Sequence, residues 1–220
     1  MTRGLPMLAV ALALALTLAL TLSACSVAPV AAPRAVYDLG PAPAPAANPA
    51  QPSNPANATT VNATTVGPLA WRSAEVTAPP WLQGDGMAYR LAFQQAQRLE
   101  HYRDSFWAAP PAALLSQRLR ERLTPAPGCA GRTPALLTLS LDEFEQVFRS
   151  PTDSVVVLRF QATLASGGSG SPVAQQRWRL ERPAPSPDAV GAAQGLAQAI
   201  DLDLIPELAG WLAAQTPACR

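Results

Sequence analysis

The spacing of apolar and polar positions along this chain changes several times, and each change marks an element. A continuous apolar run opens it, from Met7 to Leu22. After Gly67 the apolar clusters Leu69–Trp71 with Val76, Met87–Phe93 and Leu99–Trp107 read as strands separated by Pro, Gly and polar breaks. Pro110-Pro111 predicts a helix start, because proline is tolerated in the first turn, and Leu115, Leu119 and Leu123 follow at i, i+4 and i+8 until Pro125. Arg118 and Arg122 lie on a neighbouring face of that helix and read as solvated. Leu137, Leu139 and Leu141 alternate with Thr138, Ser140 and Asp142, the period of a strand buried on one side. A second strand over Ser154–Leu164, a Gly/Ser-rich turn at 165–171 and a third strand around Gln175–Glu181 make an antiparallel meander. Val190, Ala193, Ala197, Ile200 and Leu204 mark a last helical stripe continuing through Leu208 and Trp211, with Pro206 expected to kink or divide it. These elements predict an α+β domain over 67–220: a mostly antiparallel sheet with two main helices on one face.

The opening run is shorter than the roughly 20 apolar residues a spanning helix needs, follows Arg3, and ends in small residues rather than a basic flank. Its last four residues, Leu22-Ser23-Ala24-Cys25, resemble a lipobox, in which a dedicated peptidase cuts before a diacylated cysteine. Residues 1–24 are then a signal peptide and Cys25 is the lipidated first residue of the mature chain. Two or three acyl chains anchor a protein stably where one does not. Ser26 in the next position resembles the sorting rule for passage to the outer membrane, which places the chain there, lipid-anchored and facing the periplasm.

Residues 25–66 hold the lipidated N-terminus, a short strand candidate at Tyr37-Asp38-Leu39 and, from 41 on, a Pro/Ala/Asn/Thr-rich linker that contains Asn-Ala-Thr-Thr-Val twice. The linker is long enough to project part of the protein away from the membrane. All sixteen basic residues are arginines, against fifteen acidic ones. Near neutrality after loss of Arg3 supplies no basic excess for binding nucleic acid. Cys129 and Cys219 are an even pair in an oxidising compartment and read first as a disulfide, worth on the order of 4–5 kcal/mol for so long a loop; two unpaired thiols are the alternative.

Catalytic chemistry finds few carriers. The single histidine, His101, sits among Glu100, Arg103 and Asp104 and reads as a surface residue. Gly167-Gly168-Ser169-Gly170 lacks the spacing of a nucleophile elbow. No Cys-x-x-Cys or His-x-x-x-His pair suggests a metal, and without lysine no phosphate-cradling loop ending in Gly-Lys exists. The expectation is a non-enzyme with no cofactor, no metal and no catalytic residue.

Pro79 to Leu82, Gly86-Met87-Ala88-Tyr89-Arg90, Tyr102, Ser105, Trp107 and Pro110-Pro111 with Leu114, Leu115, Arg118, Leu119 and Leu123 resemble the ABC-type transport auxiliary lipoprotein family. Tyr37-Asp38-Leu39 is similar to that family's first strand. The linker is longer and richer in proline than expected there, which leaves open whether this strand joins the domain. The resemblance implies a non-catalytic outer-membrane component of an ABC/MCE-type intermembrane transport system that moves phospholipids or other apolar compounds. Its implied partners are an MCE-domain protein and the ABC permease and ATPase subunits, and a homo-oligomer around a multimeric partner is compatible with it. Tyr89, Arg90, Tyr102 and Trp107 are candidates for either a partner interface or a structural motif, since aromatics and Arg are enriched at interfaces and aromatics also fill sheet faces. Two rival readings remain: an accessory or assembly factor of another envelope machine, and a periplasmic lipid-binding module with its cavity between helices and sheet.

Overall fold

The computed structural model describes residues 33–43, 64–65, 71–72, 76–124 and 133–215. The signal segment 1–24, Cys25, most of the linker, Cys129 and Cys219 lie outside the described residues. The strands are β1 (Ala35–Tyr37), β2 (Thr64–Thr65), β3 (Trp71–Arg72), β4 (Val76–Thr77), β5 (Gly86–Leu91), β6 (Glu100–Trp107), β7 (Leu123–Thr124), β8 (Ala135–Phe148), β9 (Ser154–Ala165) and β10 (Pro172–Pro183). The helices are α1 (Pro111–Arg122), α2 (Ala189–Gln198) and α3 (Ile205–Ala214), the last two joined through a π-helical segment, Ala199–Leu204.

The expected meander is present: β8 pairs antiparallel with β9, and β9 with β10. β8 runs past the point where its sequence stops alternating. A register shift between Leu141 and Glu143 inserts one residue at Asp142, so the core-facing set passes from Leu137, Leu139 and Leu141 to Phe144, Gln146 and Phe148. One inserted residue reverses the faces of everything after it, which is how a bulge hides the second half of a strand from a period-2 reading. On β9, Val156, Leu158, Phe160, Ala162 and Leu164 are all buried toward the helices.

The other edge of β8 accepts three short strands in succession, β3, β4 and β5, all parallel to it. β6 returns antiparallel to β5, and β1 pairs parallel with β6, giving the order β1-β6-β5-β8-β9-β10. The first strand therefore joins the domain, at Ala35–Tyr37 rather than 37–39, and Arg34 sits 3.9 Å above the Phe106 ring to hold its start. A parallel pair, β2 with β7, lies apart from this sheet. The strand expected over Met87–Phe93 ends at Leu91; Ala92–Gln95 form one helical turn with Phe93 exposed.

Both helical elements pack into one core with the meander. α1 starts at the Pro110-Pro111 step and buries Leu114, Leu115 and Leu119; Leu123 is extended, although still buried. Asp188 caps α2 by accepting from the Gly191 backbone N–H at 2.8 Å. Gly191 and Gly195 let this helix come close. A Cβ on Gly191 would run into the Ser186 carbonyl oxygen, and one on Gly195 would stand 2.9 Å from Val156 Cγ1. Pro206 does divide the last stripe, and the division is a π turn: Ile205 N–H donates to Ile200 O, the i−5 carbonyl, which widens the helix just ahead of the proline ring.

Candidate functional site

The four candidate residues all make contacts within the domain; Trp107 is buried, and Tyr89, Arg90 and Tyr102 are half-buried. Tyr89 and Tyr102 come together across β5 and β6 with ring centroids 4.7 Å apart, and Phe148 stands edge-on to Tyr89 at 6.0 Å. Tyr102 OH donates to Gln146 Oε1 at 2.6 Å, and Gln146, fully buried, donates in turn to Ser154 Oγ and the Ser186 carbonyl. Burial pushes the Tyr102 hydroxyl far up, so it serves as a permanent donor. Tyr89 OH donates to Glu100 Oε2 at 2.9 Å; burial, then that hydrogen bond, raises its titration.

Arg90 follows Tyr89 on the strand and so points to the opposite sheet face. There it grips Glu145 through two hydrogen bonds, 2.9 and 3.1 Å, and donates a third to the Ala96 carbonyl. Its titration is raised chiefly by the Glu145 hydrogen bond. Trp107 is 2% exposed and meets Phe144 edge-on at 5.3 Å. Three of the four residues thus clamp the seam where β5 joins β8 and β6, and Trp107 anchors the far end of β6. His101 is exposed, as expected, and its ring lies against Gly86.

Arg118 departs from expectation. It is not solvated: its side chain is 3% exposed and lies 3.4 Å from Asp201 Oδ2, itself buried on the π turn. Its Nη2 donates to the carbonyls of Leu39 and Gly40 at 2.7 and 2.5 Å, tying the end of β1 to both helical elements. Arg122, also expected in solvent, is half-buried; it approaches Asp201 Oδ1 at 4.0 Å and donates to the Pro43 carbonyl. Burial raises the Asp201 titration, with Arg118 and Arg122 opposing. An acid within the apolar stripe Ile200-Asp201-Leu202-Asp203-Leu204 was the available signal, since a charge on a core-facing position needs a partner.

Surface grooves flank this framework, among them three of larger volume than the one beside Arg118. One, about 410 Å³, lies between β1 and α2, lined by Val36, Leu39, Val190 and Ala197. Another, about 540 Å³, separates β4 and Leu82 from α1. The third, about 460 Å³, runs along β10 beside α3 under Trp178 and Trp211. Among the described residues no cluster of His, Cys, Asp and Glu could hold a metal, and no helix is long and apolar enough to cross a membrane.

This fold is shared with solved structures. Protein XCC0632 from Xanthomonas campestris, which carries the family label DUF330, superposes with a TM-score of 0.60 at 18% identity, over 83% of this chain and 95% of that one. A second crystal structure, of an uncharacterized protein, gives 0.51 at 16% identity over 84% and 99%. No curated protein matches the chain. At the level of sequence, residues 37–202 match one family from the first strand through the π turn, so the chain belongs to the ABC-type transport auxiliary lipoprotein component family.

Proposed function

We propose that this chain is the non-catalytic, outer-membrane lipoprotein of an ABC/MCE-type intermembrane transport system for phospholipids or other apolar compounds, lipid-anchored through Cys25, and that it acts by docking to transporter partners. The observation that carries this reading is the position of β1. Ala35 lies ten residues after Cys25, and β1 is built into the sheet and tied down by Arg118. An extended chain of ten residues reaches at most about 35 Å. With Cys25 lipidated, the domain is held within that reach of the anchored bilayer. A module fixed at one membrane receives a path that other subunits extend across the periplasm.

Such a path has a physical reason to exist. At about 0.8 kcal/mol per CH₂, exposing a sixteen-carbon tail to water costs roughly 12 kcal/mol. The interior between sheet and helices is filled by Leu115, Leu139, Phe144, Leu158, Phe160 and Ile200, each under 2% exposed, which favours docking over carrying a lipid inside the domain. In-cell crosslinking of the lipidated chain followed by mass spectrometry tests the proposal. Recovery of an MCE-domain subunit with its permease is expected; recovery of only an outer-membrane barrel or peptidoglycan-linked proteins overturns it.

A further inference from the structure

The two sheet edges differ. β1 offers three residues, the short edge by which proteins discourage unwanted pairing. β10 is twelve residues long, its register with β9 is unbroken from Ala174 to Pro183, and among the described residues nothing pairs with its outer side. Most of it is exposed, including Val173 at 62%. An unprotected edge of this length carries a row of free backbone donors and acceptors.

The side chains on either side of that edge have opposite character. Toward the helices, Trp178 stacks on Phe160 at 4.8 Å and meets Trp211 edge-on at 5.7 Å, and the two indoles, with Pro206 and Gly210, floor the groove beside β10. On the other face stand Arg177 and Arg179, with Arg159 and Arg149 beside them; among the described residues the carboxylates that pair with these arginines are Glu143 and Glu181. Arg177 bonds Gln161 and has no carboxylate partner among the described residues. In a chain otherwise balanced in charge, this is a local cationic surplus. A second copy of β10 would add its own arginines to that face, and like charges across a ladder repel.

We infer that the free edge of β10 takes an extended segment of a partner protein as an added strand, with acidic side chains alternating with apolar ones. Side chains alternate across an added strand, so one set faces Arg177 and Arg179 while the other enters the Trp178–Trp211 groove. Glu207 lines that groove and keeps acidic groups off the helix side. Main-chain bonds supply affinity and the alternation supplies register. This inference rests on reading the chain as a docking component, and it adds the surface and the chemistry of what docks.

The test is hydrogen exchange of the full chain with a ten-residue peptide alternating glutamate and valine, against a peptide of the same length alternating lysine and valine. The acidic peptide is expected to slow alternate β10 amides at least tenfold, with β8 and β1 unchanged, and the lysine peptide to leave β10 as it was. Arg177→Glu, a substitution at an exposed position, is expected to leave β8 and β9 exchange intact and to abolish the slowing. No change at β10 overturns the inference. So does equal slowing by both peptides, or a concentration-dependent slowing without peptide, which would assign the edge to a second copy. Crosslinked transporter subunits with β10 exchange unaltered by the acidic peptide would also overturn it while leaving the docking function standing.

Discussion

Arg118 and Asp201 meet at 3.4 Å with both side chains under 5% exposed, and through this contact α1 holds the π turn while the same guanidinium holds the carbonyls that end β1. Removing one member of a buried pair leaves the other charge without compensation, which typically costs about 3–5 kcal/mol. Arg118→Met is expected to lower stability by that order in denaturant unfolding and to speed exchange at Leu39 and Gly40. Pairing it with Asp201→Leu should recover part of the loss. Strict additivity of the two substitutions would show that the residues do not act as a unit.

Charge in this protein titrates in two directions. Arg179 hydrogen-bonds Glu181, and the Gly191 backbone N–H bonds Asp188, so both carboxyls are held below the ordinary range. Each binds a proton less readily folded than unfolded; the stability it contributes is present above about pH 4 and lost as pH falls through the depressed value. Asp201 is raised by burial, so its ionisation costs stability as pH rises above about 4. Unfolding series from pH 3 to 7 should show the deficit of Asp188→Ala, about 1 kcal/mol at neutral pH as for a lost N-cap, shrinking toward acid. The stability of the native chain relative to Asp201→Asn should instead fall as pH rises.

Glycine at two helical sites separates packing from propensity. Gly210 has nothing within 4 Å of where a Cβ would stand, whereas Gly191 faces the Ser186 backbone. Alanine in a helix interior is favoured over glycine by up to about 1 kcal/mol. Gly210→Ala should therefore raise the thermal midpoint, and Gly191→Ala should lower it. A rise in both would mean that α2 does not approach Ser186 as closely as described.

Arg90 and Glu145 distinguish structure from interface. Both are largely buried and joined by paired hydrogen bonds, so Arg90→Ala is expected to cost about 1–3 kcal/mol in unfolding. At a temperature where the variant stays folded, recovery of crosslinked partners should match the native chain. Loss of partners without loss of stability would return Arg90 to the interface.

What the sequence determined by itself was whatever local period encodes. The helix from Pro111, the first half of β8, and the β9 and β10 strands all follow from apolar spacing and turn residues, and Pro206 marked the break in the last helix. The apolar run to Leu22 and the cysteine that follows it carried the expectation of a lipoprotein, and the family matched by residues 37–202 is one of lipoproteins. Tertiary structure decided what depends on partners distant in the chain. The bulge at Asp142 shows its effect only against β9. Arg118 looked like a solvated helix arginine because its counter-charge lies 83 residues on and its carbonyl acceptors 78 and 79 residues back. Tyr89, Arg90 and Tyr102 became framework once Glu100, Gln146 and Glu145 were folded against them. Whether β1 joined the domain was equally invisible, because three residues hold no period of their own and gain their place only by pairing with β6, far along the chain.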